Sequence, residues 1–159
     1  MKNIKAVIVE DETLAAKKLE SLIKKYNTSI EIITKIPSVK EGIKWFSQNQ
    51  IPDLIFMDIH LEDGLSFAIF ENVKIVTPVI FTTAFDEYTI NAFKVNSIDY
   101  LLKPINFEDL SKSLDKFYEL RNQYASQALN FQSLLESLLP KEENYKSRFL
   151  VNEGANLII

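Results

Sequence analysis

The chain has 159 residues, is 47% hydrophobic, and contains only 3 glycines and no cysteine, which excludes a disordered, collagen-like or disulfide-stapled protein as well as thiol catalysis and zinc ribbons. Lys+Arg is 18 against Asp+Glu 22, a net charge of -4, so the chain lacks the basic footprint of a nucleic-acid-binding surface. No apolar run approaches the roughly 18 residues of a membrane span, and Met1 to Lys5 leads into strand-like sequence without a signal-peptide pattern, so the expected location is the cytoplasm.

Short apolar runs alternate with helical patterns up to about residue 122, the signature of βαβ units and a doubly wound parallel sheet. Strands that are buried on both faces read as near-continuous hydrophobics. Five such runs are present: Lys5 to Val9, Glu31 to Lys35, Leu54 to Met57, Val79 to Thr82 and Asp99 to Leu102. Between the first two, Leu14/Ala15, Leu19, Leu22, Ile23 and Tyr26 recur at helical spacing. Ser38-Val-Lys-Glu41 is a capping box that opens a second helix. A third helix is expected near Ser66 to Asn72, and a fourth from about Asp86 to Val95. The fifth begins at the N-cap Asn106, with Glu108 and Asp109 in its first turn, where the helix dipole favours negative charge.

This last helix runs on. With Phe107, Leu114, Arg121, Ala128 and Leu135 at heptad position a, position d is Leu110, Phe117, Tyr124, Phe131 and Leu138. Phe107 to Phe117 is the face expected to pack on the sheet. Beyond residue 122 the sheet is used up, so the rest of the stripe is expected to pair with a second copy of the helix until Pro140 ends it. Arg148 to Ile159 reads as a strand, a Gly turn and a second strand, a hairpin too small to stand alone and therefore the expected start of a further domain. The expected division is 1–122, a helical linker over 123–146, and the beginning of another domain at 147–159.

Open parallel sheets place their sites beyond the carboxyl ends of the strands. Glu10-Asp11-Glu12 follows the first strand, Asp58 the third, Thr83 the fourth and Lys103 the fifth. Carboxylates from two strands can share a Mg²⁺ ion with waters and a phosphate, and a carboxylate such as Asp58 can attack a phosphoryl donor. Thr83 and Lys103 would then hydrogen-bond and neutralise the phosphoryl oxygens. Taken singly, Asp11 or Glu12 could simply cap the first helix. Asp58 differs, because it directly follows the buried run Leu54-Ile-Phe-Met57, where an unpaired charge is costly.

Val7-Ile-Val-Glu-Asp-Glu12, Phe56-Met-Asp-Ile-His-Leu-Glu-Asp-Gly64, Phe81-Thr-Thr-Ala84 and Asp99-Tyr-Leu-Leu-Lys-Pro104 resemble, in order, the strand-end motifs of the receiver domain of two-component response regulators, over about residues 4–122. The resemblance implies a (βα)5 sheet in the flavodoxin-like order 2-1-3-4-5 and a phosphoacceptor, Asp58, that takes its phosphoryl group from a sensor histidine kinase. It places Mg²⁺ among Glu10, Asp11, Asp58 and the backbone carbonyl of His60. Thr83 and Lys103 become phosphoryl ligands, Tyr100 the switch aromatic, and Lys103-Pro104 a cis peptide. The expected homodimer forms through the face of the fourth helix, fifth strand and fifth helix, together with the helical linker. Glu10 stands where the family more often has Asp, and its longer side chain is expected to reach the metal through water. Phe85, two residues after Thr83, has two equal readings: a shield that keeps attacking water from the phosphoryl group, or a residue that simply packs on the fourth helix.

Asp58-Ile-His-Leu, Thr83-Ala-Phe-Asp-Glu-Tyr88 and Ala92-Phe-Lys-Val-Asn-Ser-Ile-Asp-Tyr100 are similar to the subgroup whose output is a LytTR-type (LytR/AlgR) DNA-binding domain. Ser147-Arg-Phe-Leu-Val-Asn-Glu-Gly154 is similar to the start of that domain, so DNA contact belongs to sequence beyond Ile159. The alternative is a pseudo-receiver, a protein-interaction module that takes no phosphate. A flavin carrier fits poorly, because Glu10-Asp11-Glu12 would repel a phosphate after the first strand. A phosphatase of the Asp-x-Asp type would want a carboxylate where His60 stands. The expected protein is a phosphoryl acceptor and not an enzyme with turnover on a separate substrate.

Overall fold

The computed structural model describes residues 3–48, 51–84 and 97–138. It divides into two units, Met1–Leu114 and Asp115–Ile159. The first unit is built on a five-stranded sheet of β1 (Ile4–Val9), β2 (Ile30–Ile36), β3 (Leu54–Asp58), β6 (Val79–Thr83) and β7 (Ser97–Leu102). Every pairing in it is parallel, in the order β2-β1-β3-β6-β7. Counted among the five main strands alone this is 2-1-3-4-5, the order the sequence motifs imply. Two short antiparallel strands, β4 (His60–Leu61) and β5 (Gly64–Leu65), form a separate hairpin directly after β3.

Residues of the central strands alternate between faces, and both faces are covered. Val7 and Val9 of β1, Ile55 and Met57 of β3, and Val79 and Phe81 of β6 share one buried cluster with Ile36, Val39 and Ile69. The rings of Phe67 and Phe70 lie 5.5 and 6.1 Å from that of Phe81. On the alternate positions Ala6, Ile8, Leu54, Phe56 and Ile80 are equally buried.

The helices of this unit are α1 (Thr13–Tyr26), α2 (Val39–Gln48), α3 (Phe67–Asn72) and the start of a long helix, Phe107–Leu138. In α1 the buried residues are Ala16, Leu19 and Ile23, and Leu14 is 81% exposed, which corrects the expected stripe. Leu14 precedes Leu19 by five residues, about 140° around the helix, whereas Ala16 precedes it by three and falls about 60° away, on the same face. The Ser38 half of the expected capping box opens α2, with the Glu41 N–H donating to Ser38 Oγ at 3.1 Å. Gly42 lies where α2 meets α3, and a Cβ there would come within 2.6 Å of Ile69 Cδ1.

Asn106 caps the long helix by accepting the Asp109 N–H at 2.8 Å. Leu110 and Leu114 are fully buried, and the buried hydroxyl of Ser113 donates to the Asp99 carboxylate of β7, so strand and helix are joined by a polar contact within an apolar face. Lys25 Nζ sits 4.6 Å from the centroid of the Phe107 ring.

In the second unit the helix continues to Leu138, with the Arg121 guanidinium 5.6 Å from the centroid of the Phe117 ring. Tyr124 is 68% exposed, Phe131 46% and Leu138 70%. Among the described residues no helix is long and apolar enough to cross a membrane. The expected fourth helix, Phe85, Pro140 and the strand-like tail lie outside the described residues.

Candidate functional site

The carboxyl ends of β1, β3, β6 and β7 converge. Asp58, the last residue of β3, is 5% exposed, and Glu10, just past β1, is 7% exposed. Between them stands Lys103 from the end of β7, its Nζ 2.6 Å from Glu10 Oε1 and 2.9 Å from Asp58 Oδ2. Two carboxylates removed from water are thereby compensated by one ammonium, the arrangement that makes burial of such charges tolerable. The other oxygens are also engaged. Glu10 Oε2 accepts the Glu12 N–H at 3.1 Å, and Asp58 Oδ1 accepts the His60 N–H at 3.3 Å.

Burial pushes the Glu10 carboxyl up to about 7; the hydrogen bond from Lys103 opposes this, and the neighbouring Asp58 charge adds to it. Desolvation works against the Lys103 ammonium, but its bonds to Glu10 and Asp58 outweigh it and hold the group above the usual lysine range. The local charge is thus short of a cation, since two carboxylates share one lysine.

Asp11 joins the same place. One carboxylate oxygen each from Glu10, Asp11 and Glu12 lies within 4.8 Å of the others. Glu12 stands at the N-terminus of α1 and makes no side-chain cap bond there. An all-oxygen acidic cluster beside a buried carboxylate has the chemistry a hard divalent cation such as Mg²⁺ requires. Thr83 ends β6 and is fully buried; its backbone carbonyl accepts the Lys103 N–H at 2.7 Å, which sets the threonine and the lysine side by side on neighbouring strands. Tyr100 is register partner to Phe81 and is half-buried against the core cluster. The Lys103-Pro104 peptide is cis. A groove of about 370 Å³ with apolar walls at Ala15, Leu19, Leu22 and Ile105 opens beside Glu10 and Lys103.

Glu10, Asp11, Asp58, His60, Thr83 and Lys103 all stand at this end of the sheet, Tyr100 lies three residues before Lys103 within β7, and Phe85 falls outside the described residues. Sequence reasoning placed Glu12 at this strand end but outside the metal-holding set, and it did not anticipate Lys103 as a bridge between Glu10 and Asp58. It also assigned nothing to Asp63, whose carboxylate accepts the Val39 and Lys40 N–H groups at 2.8 and 3.0 Å. The Glu62-Asp63-Gly64 turn was a visible signal, but its partner is 24 residues away in sequence.

A five-stranded parallel sheet with a lysine-bridged acidic site at its carboxyl edge defines a receiver-type signalling domain, and the chain belongs to the response regulator receiver domain family, whose pattern residues 6–115 match. It is 33% identical over 117 residues to the sensory transduction protein LytT of Bacillus anthracis, covering 72% of this chain and 47% of that protein. It is 34% identical over 116 residues to the transcriptional regulatory protein LytR of Staphylococcus aureus, covering 71% of this chain and 46% of that protein. The chain thus spans about half the length of the curated relatives it matches. Among solved structures, the response regulatory domain of protein mrkE from Klebsiella pneumoniae superposes with a TM-score of 0.67 at 28% identity, over 76% of this chain and 99% of that one. Its receiver domain is similar to those of the LytT and LytR regulators.

Proposed function

We propose that this receiver takes a phosphoryl group on Asp58 from a sensor histidine kinase and passes the signal to a LytTR-type DNA-binding domain beyond residue 146. The observation that carries this reading is the buried Asp58 carboxylate held by Lys103 beside the Glu10-Asp11-Glu12 cluster. Glu10, Asp11, Asp58 and the His60 carbonyl would hold Mg²⁺, which when bound neutralises the phosphoryl oxygens. An Asp58 oxygen attacks phosphorus, the bond from phosphorus to the donor's leaving group breaks, and the leaving group departs with that electron pair. The product is an acyl phosphate. Lys103 then exchanges its bond to Asp58 for one to a phosphoryl oxygen, and the Thr83 hydroxyl donates to another. With Thr83 drawn in, Tyr100 turns inward and the face formed by β7 and the start of the long helix is reshaped, a local charge change biasing a bistable element. The protein is read as cytoplasmic.

Intact-mass measurement after incubation with Mg²⁺ and acetyl phosphate tests the reading. One phosphoryl increment is expected, and EDTA should prevent it. A folded chain that gains no increment from acetyl phosphate or from a kinase would favour the pseudo-receiver.

The linker half of the long helix is read as the second part of a homodimer contact, because Tyr124, Phe131 and Leu138 recur every seven residues and are exposed in the single chain. Such a seam buries itself against a copy of the same helix. Phe131→Glu should weaken the dimer at least tenfold in sedimentation equilibrium by placing like charges in the seam. Unchanged affinity would remove the helix from the interface.

A further inference from the structure

The turn that follows Asp58 is small and would not hold its shape alone. Strands β4 and β5 have two residues each, with His60 opposite Leu65 and Leu61 opposite Gly64, far short of an independently stable hairpin. Its inner end is closed by the Ser66 N–H donating to the Ile59 carbonyl at 2.8 Å. Its tip turns at Gly64, whose φ of 140° is open to glycine and strained for other residues. What fixes the tip is Asp63.

The Asp63 carboxylate spans from this turn to the N-terminus of α2, taking the N–H of Val39 on Oδ1 and that of Lys40 on Oδ2. These two bonds hold the carboxyl below the usual aspartate range. The helix already has a local cap, since Ser38 Oγ takes the N–H of Glu41. Asp63 is therefore a second cap supplied from a distance, and it ties the turn to a rigid element. His60 sits between the closed inner end and the tied tip, with its N–H on Asp58 Oδ1.

We propose that Asp63 is a positioning residue for the phosphoacceptor site: by clamping the turn to α2 it fixes the backbone of His60, whose N–H orients Asp58 and whose carbonyl is the metal ligand of the reading above. The proposal rests on that reading of Asp58 and His60. The clamp acts through His60 and touches no reacting atom.

The test compares Asp63→Ala, Asp63→Asn and Ser38→Ala in the full chain, with Mg²⁺ affinity by calorimetry as the readout alongside thermal melting. Ser38→Ala removes a cap from the same helix end without touching the turn, so it reports what loss of helix stability alone does. Asp63→Ala should raise the Mg²⁺ Kd about tenfold, the low end of what losing an outer-shell partner costs, while Ser38→Ala leaves it within twofold. Asp63→Asn, which keeps one acceptor oxygen, should fall between and guards against a misfolded alanine variant. If Asp63→Ala binds Mg²⁺ like the wild type, or if Ser38→Ala weakens binding equally, Asp63 is a helix cap only and the proposal is overturned. A wild-type chain that fails to bind Mg²⁺ would instead overturn the phosphoacceptor reading itself, and the clamp would fall with it.

Discussion

Asp58→Asn is expected to gain no phosphoryl increment from acetyl phosphate under conditions that label the wild type once. The amide keeps the size of the carboxylate but loses the negative charge and the lone-pair basicity that an attacking oxygen needs. The fold should survive the change. Lys103 loses a charged acceptor 2.9 Å away but keeps Glu10 at 2.6 Å, and Glu10 is relieved of the Asp58 charge that helps to push its carboxyl up. These effects oppose each other, so the variant should melt within about 1 kcal/mol of the wild type. Intact mass together with a thermal melt decides the matter. Labelling of the Asp58→Asn variant would mean that the acceptor is another residue.

Lys103→Met should be costly in both stability and chemistry. Methionine fills a similar volume, but it leaves Glu10 and Asp58 buried at 7% and 5% exposure with their shared cation gone. Removing one partner from a buried ion pair costs about 3–5 kcal/mol when burial is complete. The Lys103 side chain keeps 21% of its surface exposed, so the lower end of that range, about 3 kcal/mol, applies in EDTA, a fall in Tm of roughly 10 °C. Added Mg²⁺ should narrow the gap, since it brings positive charge to the same carboxylates. Phosphoryl uptake should slow roughly 100-fold or more, the usual consequence of deleting a group that stabilises charge developing in the transition state. Equal melting of variant and wild type in EDTA would show that the bridging lysine is not what makes the buried carboxylates tolerable.

How much of this was legible in the sequence depended on the range of the interaction involved. The central strands β1, β3 and β6 were readable because both of their faces are buried, which leaves runs such as Leu54-Ile-Phe-Met57 with no polar alternation, whereas the edge strands β2 and β7 are only partly buried and keep polar residues. The helix starts at Ser38 and Asn106 were readable because a cap acts within three residues. The inward face of α1 was misread at Leu14, since several apolar candidates allow more than one stripe and only packing against the sheet chooses Ala16 in its place.

For the candidate site, sequence alone supplied the residue types and their positions at strand ends, and the strand-end motifs supplied the family. It determined that Glu10, Asp11, Asp58, Thr83 and Lys103 would gather, because a parallel sheet brings every carboxyl end to one edge. Only the tertiary structure decided the pairing within that edge. That Lys103 bridges two carboxylates depends on side-chain reach across β1, β3 and β7, and that Asp63 caps α2 depends on where a turn lands 24 residues from its partner. Neither distance is encoded in local spacing. Hydrophobic period and capping are short-range and survive in one dimension, whereas a buried ion pair is a compromise among groups that only the closed fold brings within hydrogen-bonding reach.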